Sequence, residues 1–128
     1  MSYSIGKVVN LSYDEALEKV TEELKKEGFG VLTEIDVKKT LKEKLDVDVP
    51  RYKILGACNP PFAHKALETE PEVGLLLPCN VIVYESENGG INVSAINAQA
   101  MLSIIDRDDM EPIAKEVNDR LKRVIDNM

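Results

Sequence analysis

In the first part of the chain, the apolar positions have first the pattern of a β-strand and then the spacing of an α-helix. Residues 3–9 are rich in β-branched and aromatic side chains and predict a first strand. Ser12 and Glu15 form a capping-box pattern, which predicts the start of a helix. Behind it, apolar side chains recur every three or four residues: Tyr13, Leu17, Val20 and Leu24. Gly28 is placed to end this helix in a left-handed conformation.

A second strand is predicted over residues 29–35, followed by a short helix that Asp36 caps. The strand is expected to place four side chains on one side: Phe29, Val31, Thr33 and Ile35. The short helix has three apolar side chains at four-residue spacing: Val37, Leu41 and Leu45. Its lysines (Lys38, Lys39, Lys42, Lys44) predict a solvent-exposed face, and nearby acidic residues weaken the alternative of a phosphate-binding patch.

The second half of the chain predicts three more strands and two helices. A third strand spans residues 52–57, and Asn59 followed by two prolines predicts a helix that runs to about residue 70. A fourth strand within residues 75–85 is nearly continuous in apolar residues, as expected for a central position. A turn signal then predicts a hairpin with a fifth strand over residues 91–96. The last helix begins near Asp108 and has this apolar stripe: Ile113, Val117, Leu121 and Val124.

The order of these elements, β-α-β-β-β-β-α with short helical insertions, predicts an α+β fold. An antiparallel sheet of about five strands would have one face covered by the first and last helices. The chain contains no repeat, low-complexity tract or flexible linker, so residues 1–128 are expected to form a single domain.

Composition excludes several classes of protein. Of the 128 residues, 44% are hydrophobic and 30% charged, which excludes a disordered or disulfide-dense chain. The formal net charge of -7 disfavours binding to nucleic acid. Two cysteines do not make a disulfide framework, no secretory signal pattern is present, and no apolar stretch approaches the ~20 residues that span a bilayer. We therefore expect a cytoplasmic protein with reduced thiols and no membrane association.

The common catalytic patterns do not occur in the sequence. His64 is the single histidine, so a site with several histidines cannot form within one chain. There is no phosphate-binding glycine loop and no G-x-S-x-G motif. Carboxylates are numerous, but their spacing does not select a catalytic pair. No cofactor is implied.

Two Cys-Asn pairs are the remaining candidates for chemistry. Cys58 lies at the carboxyl end of the third predicted strand, and Cys79 lies at the start of the fourth. If these strands are antiparallel neighbours, both pairs lie at the same end of the sheet, within reach of a disulfide or a shared ligand. The helix that starts at Asn59 would point its first amides and its dipole toward Cys58 and favour the thiolate.

Three asparagines are candidate ligand-binding residues near that end of the sheet. Asn59 and Asn80 can each donate hydrogen bonds to a carbonyl, a carboxylate or an oxyanion. Asn97 adds a further amide where the fifth strand ends. A dedicated base is missing, because His64 lies six residues beyond Cys58 and is not expected to point back at the sulfur.

Other interpretations of the cysteines stay open at this point. Both could fill the core as small apolar residues, with function in a dimer surface. They could also form a soft-metal site for zinc or copper, with Cys58, Cys79 and either His64 or Met101 as weak candidate ligands.

Three segments, residues 28–37, 52–61 and 74–81, resemble the domain-of-unknown-function 302 family. This resemblance implies one curved antiparallel sheet carrying helices, similar to the TATA-binding-protein half-repeat, and a homodimer. It implies neither DNA binding nor any particular reaction.

We therefore expect a cytoplasmic homodimer with a small-molecule pocket at the Cys-Asn end of the sheet. Cys58 would be the more reactive thiol, and Cys79 would be its partner or a second wall. Whether such a pocket serves a binding module or a thiol-dependent enzyme is left open by the sequence.

Overall fold

A five-stranded sheet, antiparallel throughout, forms the centre of the computed structural model, which describes residues 2–128. The strands are β1 (Ser4–Val9), β2 (Gly30–Asp36), β3 (Tyr52–Cys58), β4 (Cys79–Glu85) and β5 (Ile91–Ile96). Their spatial order is β1-β5-β4-β3-β2, which places β4 in the middle as its apolar sequence predicts. The helices are α1 (Tyr13–Lys26), α2 (Val37–Leu45), α3 (Pro60–Thr69), α4 (Ala98–Leu102) and α5 (Glu111–Asp126). The helices lie on one side of the sheet, so the predicted α+β fold is confirmed.

Local capping fixes the start and the end of α1. The Glu15 amide donates to the Ser12 hydroxyl at 3.1 Å, and the Ser12 amide donates to the Glu15 carboxylate at 3.0 Å. This reciprocal pair satisfies amides that have no partner within the helix. Gly28 follows the helix with a φ of 85°, a backbone conformation that glycine adopts readily. The predicted capping box and the left-handed glycine are both confirmed.

The core lies between the sheet and the two long helices, α1 and α5. Valines on the inner face of the central strands are completely buried: Val81, Val83 and Val93. They pack against Leu24 of α1 and Leu121 of α5, which are also fully buried. Burying a side chain of this size contributes roughly 1.5–3 kcal/mol. The apolar faces of α1 and α5 and the inner face of the sheet therefore form one hydrophobic core.

The alternation predicted for β2 is wrong because the strand contains a bulge. Val31 lies opposite Ala57 and Thr33 lies opposite Gly56, so the register shifts between them. The extra residue places Thr33 and Ile35 on the outer face, whereas Phe29 is buried in the core. A prediction that assumes strict alternation of side chains along the strand misses the change of face that a bulge causes.

The fourth strand lies within the predicted range and begins at Cys79, as expected, but the apolar residues before it are not part of the strand. Residues 71–76 form a 3-10 helix instead, in which Leu75 is 83% exposed. Pro71 suits the start of such a turn, and the Glu70 carboxylate accepts the Glu72 amide at 3.1 Å. Pro78 has no N–H to donate to a ladder, so strand pairing starts at Cys79.

The predicted helix α2 is present and capped by Asp36, but its apolar stripe does not reach the core. None of its residues is buried, and Leu45 is 67% exposed. Its four lysines are solvent-exposed, as expected. A second 3-10 turn, Asp108–Met110, precedes α5. Within residues 2–128, no helix combines the length and the apolar character required to cross a lipid bilayer.

Candidate functional site

An apolar cleft of about 310 Å³ lies where β3 ends and β4 begins. This volume is at the lower end of the range for small-molecule sites, roughly 300–1,000 Å³. We call it the apolar cleft, and its walls come from β2, β3, the segment before β4, and helices α3, α4 and α5. Its lining residues are Phe29, Leu32, Thr33, Ala57, Cys58, Asn59, Phe62, Ala63, Ala66, Leu67, Leu77, Pro78, Cys79, Leu102, Ile113 and Val117.

Small side chains leave the volume of the cleft open. Two of the residues of α3 that line it, Ala63 and Ala66, are small, and so is Ala57 of β3. Larger side chains at these positions would close the space between α3 and the end of the sheet. At the mouth of the cleft, Leu32 is 69% exposed and Leu67 is 41% exposed. Apolar surface therefore continues from the interior of the cleft to solvent.

The two cysteines lie at the same end of the sheet, in neighbouring strands as predicted. Cys79 pairs with Ala57 in the β3–β4 ladder, one residue away from Cys58. Both thiols are free, and both residues line the cleft. Burial raises the pKa of the Cys79 thiol to about 11, and the nearby Cys58 thiol adds to this rise. Cys79 therefore remains protonated at neutral pH and forms an apolar wall.

The predicted amide donors beside Cys58 are not available. Pro60 and Pro61 have no N–H, and the Phe62 amide donates to the Asn59 side-chain oxygen at 3.5 Å. The Ala63 amide donates to the Asn59 carbonyl oxygen at 2.9 Å. The start of α3 thus offers no unpaired amide to an anion or an oxyanion, although Cys58 directly precedes its cap.

Asn59 is the one predicted asparagine that lines the cleft. It is buried, caps α3 as the sequence predicts, and donates its side-chain amide to the Glu27 carbonyl oxygen at 3.3 Å. Its side-chain oxygen and its amide are thus both hydrogen-bonded within the fold. Asn59 therefore has a structural role in the wall of the cleft.

Asn80 does not line the cleft together with Asn59, although the sequence places both Cys-Asn pairs at this end of the sheet. Successive residues of a strand point to opposite faces, and Cys79 points inward. Asn80 is exposed on the outer face, opposite Gly56. There it lines a shallower cavity of about 150 Å³ together with Tyr3 and Ile82.

Asn97 has a structural position outside both of these cavities. Its side-chain oxygen accepts the Ala100 amide at 3.0 Å and caps α4. Its side-chain amide donates to the carbonyl oxygen of Ser2 at 3.0 Å. Asn97 therefore caps a helix and lines neither cavity, although it follows β5 at the same end of the sheet as Cys79.

His64 points away from the cleft. Its side chain is 74% exposed, and Nε2 lies 3.6 Å from a carboxylate oxygen of Glu68. In the soft-metal alternative His64 or Met101 would add a ligand to the two thiols, and neither residue lines the cleft. In the part of the chain that the structure describes, residues 2–128, no three His, Cys, Asp or Glu side chains are grouped closely enough to hold a metal ion.

Helix α3 supplies the wall that the sequence analysis did not identify. Phe62, Ala63, Ala66 and Leu67 share one face of this helix. Their spacing of one, three and one residues is a helical apolar pattern, which is the signal that could have revealed them. Outside the cleft, the Arg120 guanidinium lies 5.2 Å from the centre of the Phe62 ring and supports it.

Comparisons with known proteins show that this chain is similar to proteins that are themselves uncharacterised. The sequence model described as "Domain of unknown function DUF302" matches residues 5–128. A crystal structure of an uncharacterised conserved DUF302 protein from Bacillus stearothermophilus has a TM-score of 0.91 and 31% identity, and the alignment covers 98% of each chain. An uncharacterised protein of Aquifex aeolicus (strain VF5) is 35% identical over 68 residues, which are 53% of this chain. That match spans 46% of the Aquifex aeolicus protein.

Proposed function

The chain belongs to the DUF302 family, and we propose that it binds a small, neutral, apolar molecule in the apolar cleft. The single observation that carries this proposal is the composition of the walls. Twelve of the sixteen lining residues are aliphatic, aromatic or proline, and none is charged. An apolar lining with a few polar groups is typical of small-molecule sites.

The polar groups of the cleft favour a neutral ligand. Burying an ionised group without a partner costs several kcal/mol, and no cation lines the cleft to pair with a carboxylate or a phosphate. Asn59 already uses its side-chain oxygen and one of its two side-chain N–H groups within the protein. The Thr33 hydroxyl and the Cys58 thiol remain as weak polar contacts. A mostly hydrocarbon ligand with at most one neutral polar group fits this lining best.

Binding accounts for the site better than thiol-dependent catalysis. A cysteine nucleophile is activated by an adjacent base or a lowered pKa. His64 points to solvent, and burial keeps the Cys79 thiol protonated. Cys58 therefore has no proton acceptor among the lining residues. We accordingly assign both cysteines to the walls of a binding site.

Fluorescence titration with N-phenyl-1-naphthylamine, a neutral apolar probe, tests this proposal. We expect saturable binding to the wild-type protein. Ala63→Leu fills the cleft and should weaken binding at least tenfold, whereas His64→Leu, on the exposed side of the same helix, should leave it unchanged. Leu67→Lys adds a charge at the mouth and should also weaken binding. Circular dichroism and thermal unfolding establish that each variant is folded.

The result that overturns the proposal is equal binding by the wild type and by Ala63→Leu, or no binding by the wild type. Native mass spectrometry of the freshly purified protein provides a second readout. An added mass that is present in the wild type and in His64→Leu, and lost in Ala63→Leu, would identify the natural ligand by its mass.

A further inference from the structure

A separate apolar surface lies where the 3-10 helix before β4 meets the segment that follows α4. We call it the acidic groove. It has a volume of about 330 Å³, and its lining residues are Glu70, Glu72, Leu75, Leu76, Ile104 and Ile105. None of them lines the apolar cleft. We infer that the acidic groove binds a cationic amphipathic segment of a partner protein, in which lysine or arginine flanks apolar side chains. This inference is independent of the ligand proposed for the apolar cleft.

The groove presents large apolar side chains that the fold does not bury. Leu76 and Ile105 are half-buried and pack on a small hydrophobic cluster that includes Met110. Beside them, Leu75 is 83% exposed and Ile104 is 73% exposed. The groove therefore has an apolar floor that is anchored to the protein interior and apolar walls that are open to solvent. Contiguous exposed apolar surface bordered by polar residues marks a site of protein interaction.

Negative charge is concentrated around the groove. Residues 68–76 and 103–111, which form the groove and its surroundings, contain seven acidic residues and one basic residue. Their formal charge is thus -6, compared with -7 for the whole chain. The acidic residues are Glu68, Glu70, Glu72, Asp106, Asp108, Asp109 and Glu111. A partner segment that carries lysine or arginine is attracted to such a surface.

Four of these carboxylates have no basic partner. Within residues 2–128, no salt bridge involves Glu70, Glu72, Asp106 or Asp108. Arg107 is the one cation of the two segments, and it already donates two hydrogen bonds to the carboxylate of Asp109, at 3.0 and 2.8 Å. The charge at the groove is therefore available to a partner. Complementary charges around an apolar contact provide specificity and speed association.

The same features disfavour other occupants. The walls are too exposed to bury most of a small molecule, as small-molecule sites do. Nucleic acid and anionic lipid are repelled by the carboxylates. A second copy of the chain has the same negative sign, and the lysines of its α2 are accompanied by acidic residues, as in the 2.9 Å ion pair of Lys42 with Asp46. An amphipathic helix that lays its apolar face in a groove is a common form of peptide recognition.

Fluorescence anisotropy with a labelled model peptide tests the inference. The probe is an amphipathic peptide made of Leu-Lys-Lys-Leu-Leu-Lys-Leu repeats. We expect saturable binding that weakens as sodium chloride is added, because salt screens exposed charges. Leu75→Ser and Ile104→Ser should each weaken binding roughly tenfold. Both side chains are largely exposed, so these substitutions leave the core intact. The double variant Glu70→Gln with Glu72→Gln should weaken binding roughly fivefold.

Matched controls come from the opposite end of the sheet. Leu45→Ser also replaces an exposed leucine, at the end of α2. Glu43→Gln combined with Glu87→Gln removes the same charge as the groove double variant, from two exposed positions. Both controls should bind the peptide as the wild type does. A second peptide, with serine in place of every leucine, should bind at least tenfold more weakly. Circular dichroism establishes that each variant is folded.

The inference is overturned if the wild type shows no saturable binding, if the serine peptide binds as tightly as the leucine peptide, or if the groove variants and their controls have equal effects. A dimer in sedimentation equilibrium that Leu75→Ser dissociates would place a second copy in the groove and overturn it as well. Ala63→Leu separates the two proposals, because it fills the apolar cleft and should weaken binding of the naphthylamine probe alone. Loss of peptide binding in Ala63→Leu would place the peptide in the apolar cleft and contradict the inference.

Discussion

Asn59 donates its side-chain amide to the carbonyl oxygen of Glu27 at 3.3 Å and so joins the start of α3 to the end of α1. The same carbonyl oxygen accepts a hydrogen bond from Arg120 of α5 at 2.9 Å. Three helices thus meet at one backbone oxygen behind the apolar cleft. Because Asn59 is buried and caps α3, it links the local start of a helix to the tertiary position of the cleft wall.

Replacing Asn59 tests this structural role against its predicted role as a ligand anchor. Asn59→Ala removes the cap of α3 and leaves a helix amide without its partner, so we expect a loss of roughly 1–3 kcal/mol in the free energy of unfolding. Asn80→Ala is the matched control from the other Cys-Asn pair, and it should change stability by less than about 0.5 kcal/mol because Asn80 is exposed. Urea unfolding measures both values. Equal effects of the two substitutions would contradict the structural assignment.

Alkylation should distinguish the two thiols. Cys79 is buried and its pKa is raised to about 11, so we expect iodoacetamide at pH 8 to modify only Cys58 in the folded protein. Both cysteines should react in urea. Peptide mass spectrometry locates the label, and Cys58→Ser should abolish modification of the folded chain. Rapid labelling of Cys79 in the native state would show that it is accessible.

The raised pKa of Cys79 also predicts a loss of stability in alkali. In an unfolded chain the thiol ionises near pH ~8.5, so the contribution of Cys79 is complete below that pH and is lost as the pH rises toward about 11. The expected loss is about 3 kcal/mol in the free energy of unfolding. In Cys79→Ala this part of the pH dependence should be absent. Tyr13 and Tyr52, whose pKa values are raised by burial, contribute to the dependence that remains.

Gly56 is required where β2, β3 and the segment before β4 approach one another. A Cβ at this position would collide with the Thr33 hydroxyl and lie 2.8 Å from Cγ of Pro78. We expect Gly56→Ala to destabilise the protein by roughly 1–3 kcal/mol and to disturb the cleft wall. Gly74→Ala, where the added methyl group meets open space, should be neutral or slightly stabilising. Thermal unfolding measures the melting temperatures of the two variants, and equal values would refute the steric argument.

Much of the fold could be predicted because its signals are local. The capping box of Ser12 and Glu15, the cap at Asn59 and the left-handed Gly28 all involve residues within a few positions of one another. The same is true of the apolar stripes of α1 and α5. Interactions over three or four residues are encoded in spacing alone, so the elements and their order were accessible from the sequence.

The candidate site was only partly accessible. The sequence placed Cys58 and Cys79 at one end of the sheet, and the β3–β4 pairing confirms it. Sequence reasoning overlooked that Pro60 and Pro61 have no N–H to offer a ligand and that Asn59 caps the Phe62 amide, although these residues are visible in the sequence. It also missed Phe62 and Leu67, because an apolar helix face has the same pattern whether it covers a core or borders a cleft.

By itself the sequence determined the five strands, the long helices and the helix caps at Ser12, Asp36 and Asn59. The tertiary structure decided which strands pair, where the bulge in β2 changes the face, and which side chains line the cleft: Thr33 does, and Asn80 does not. The physical reason is the range of the interactions. Caps and helical stripes depend on neighbours along the chain, whereas register, bulges and cavities depend on contacts between segments that meet only when the whole chain packs.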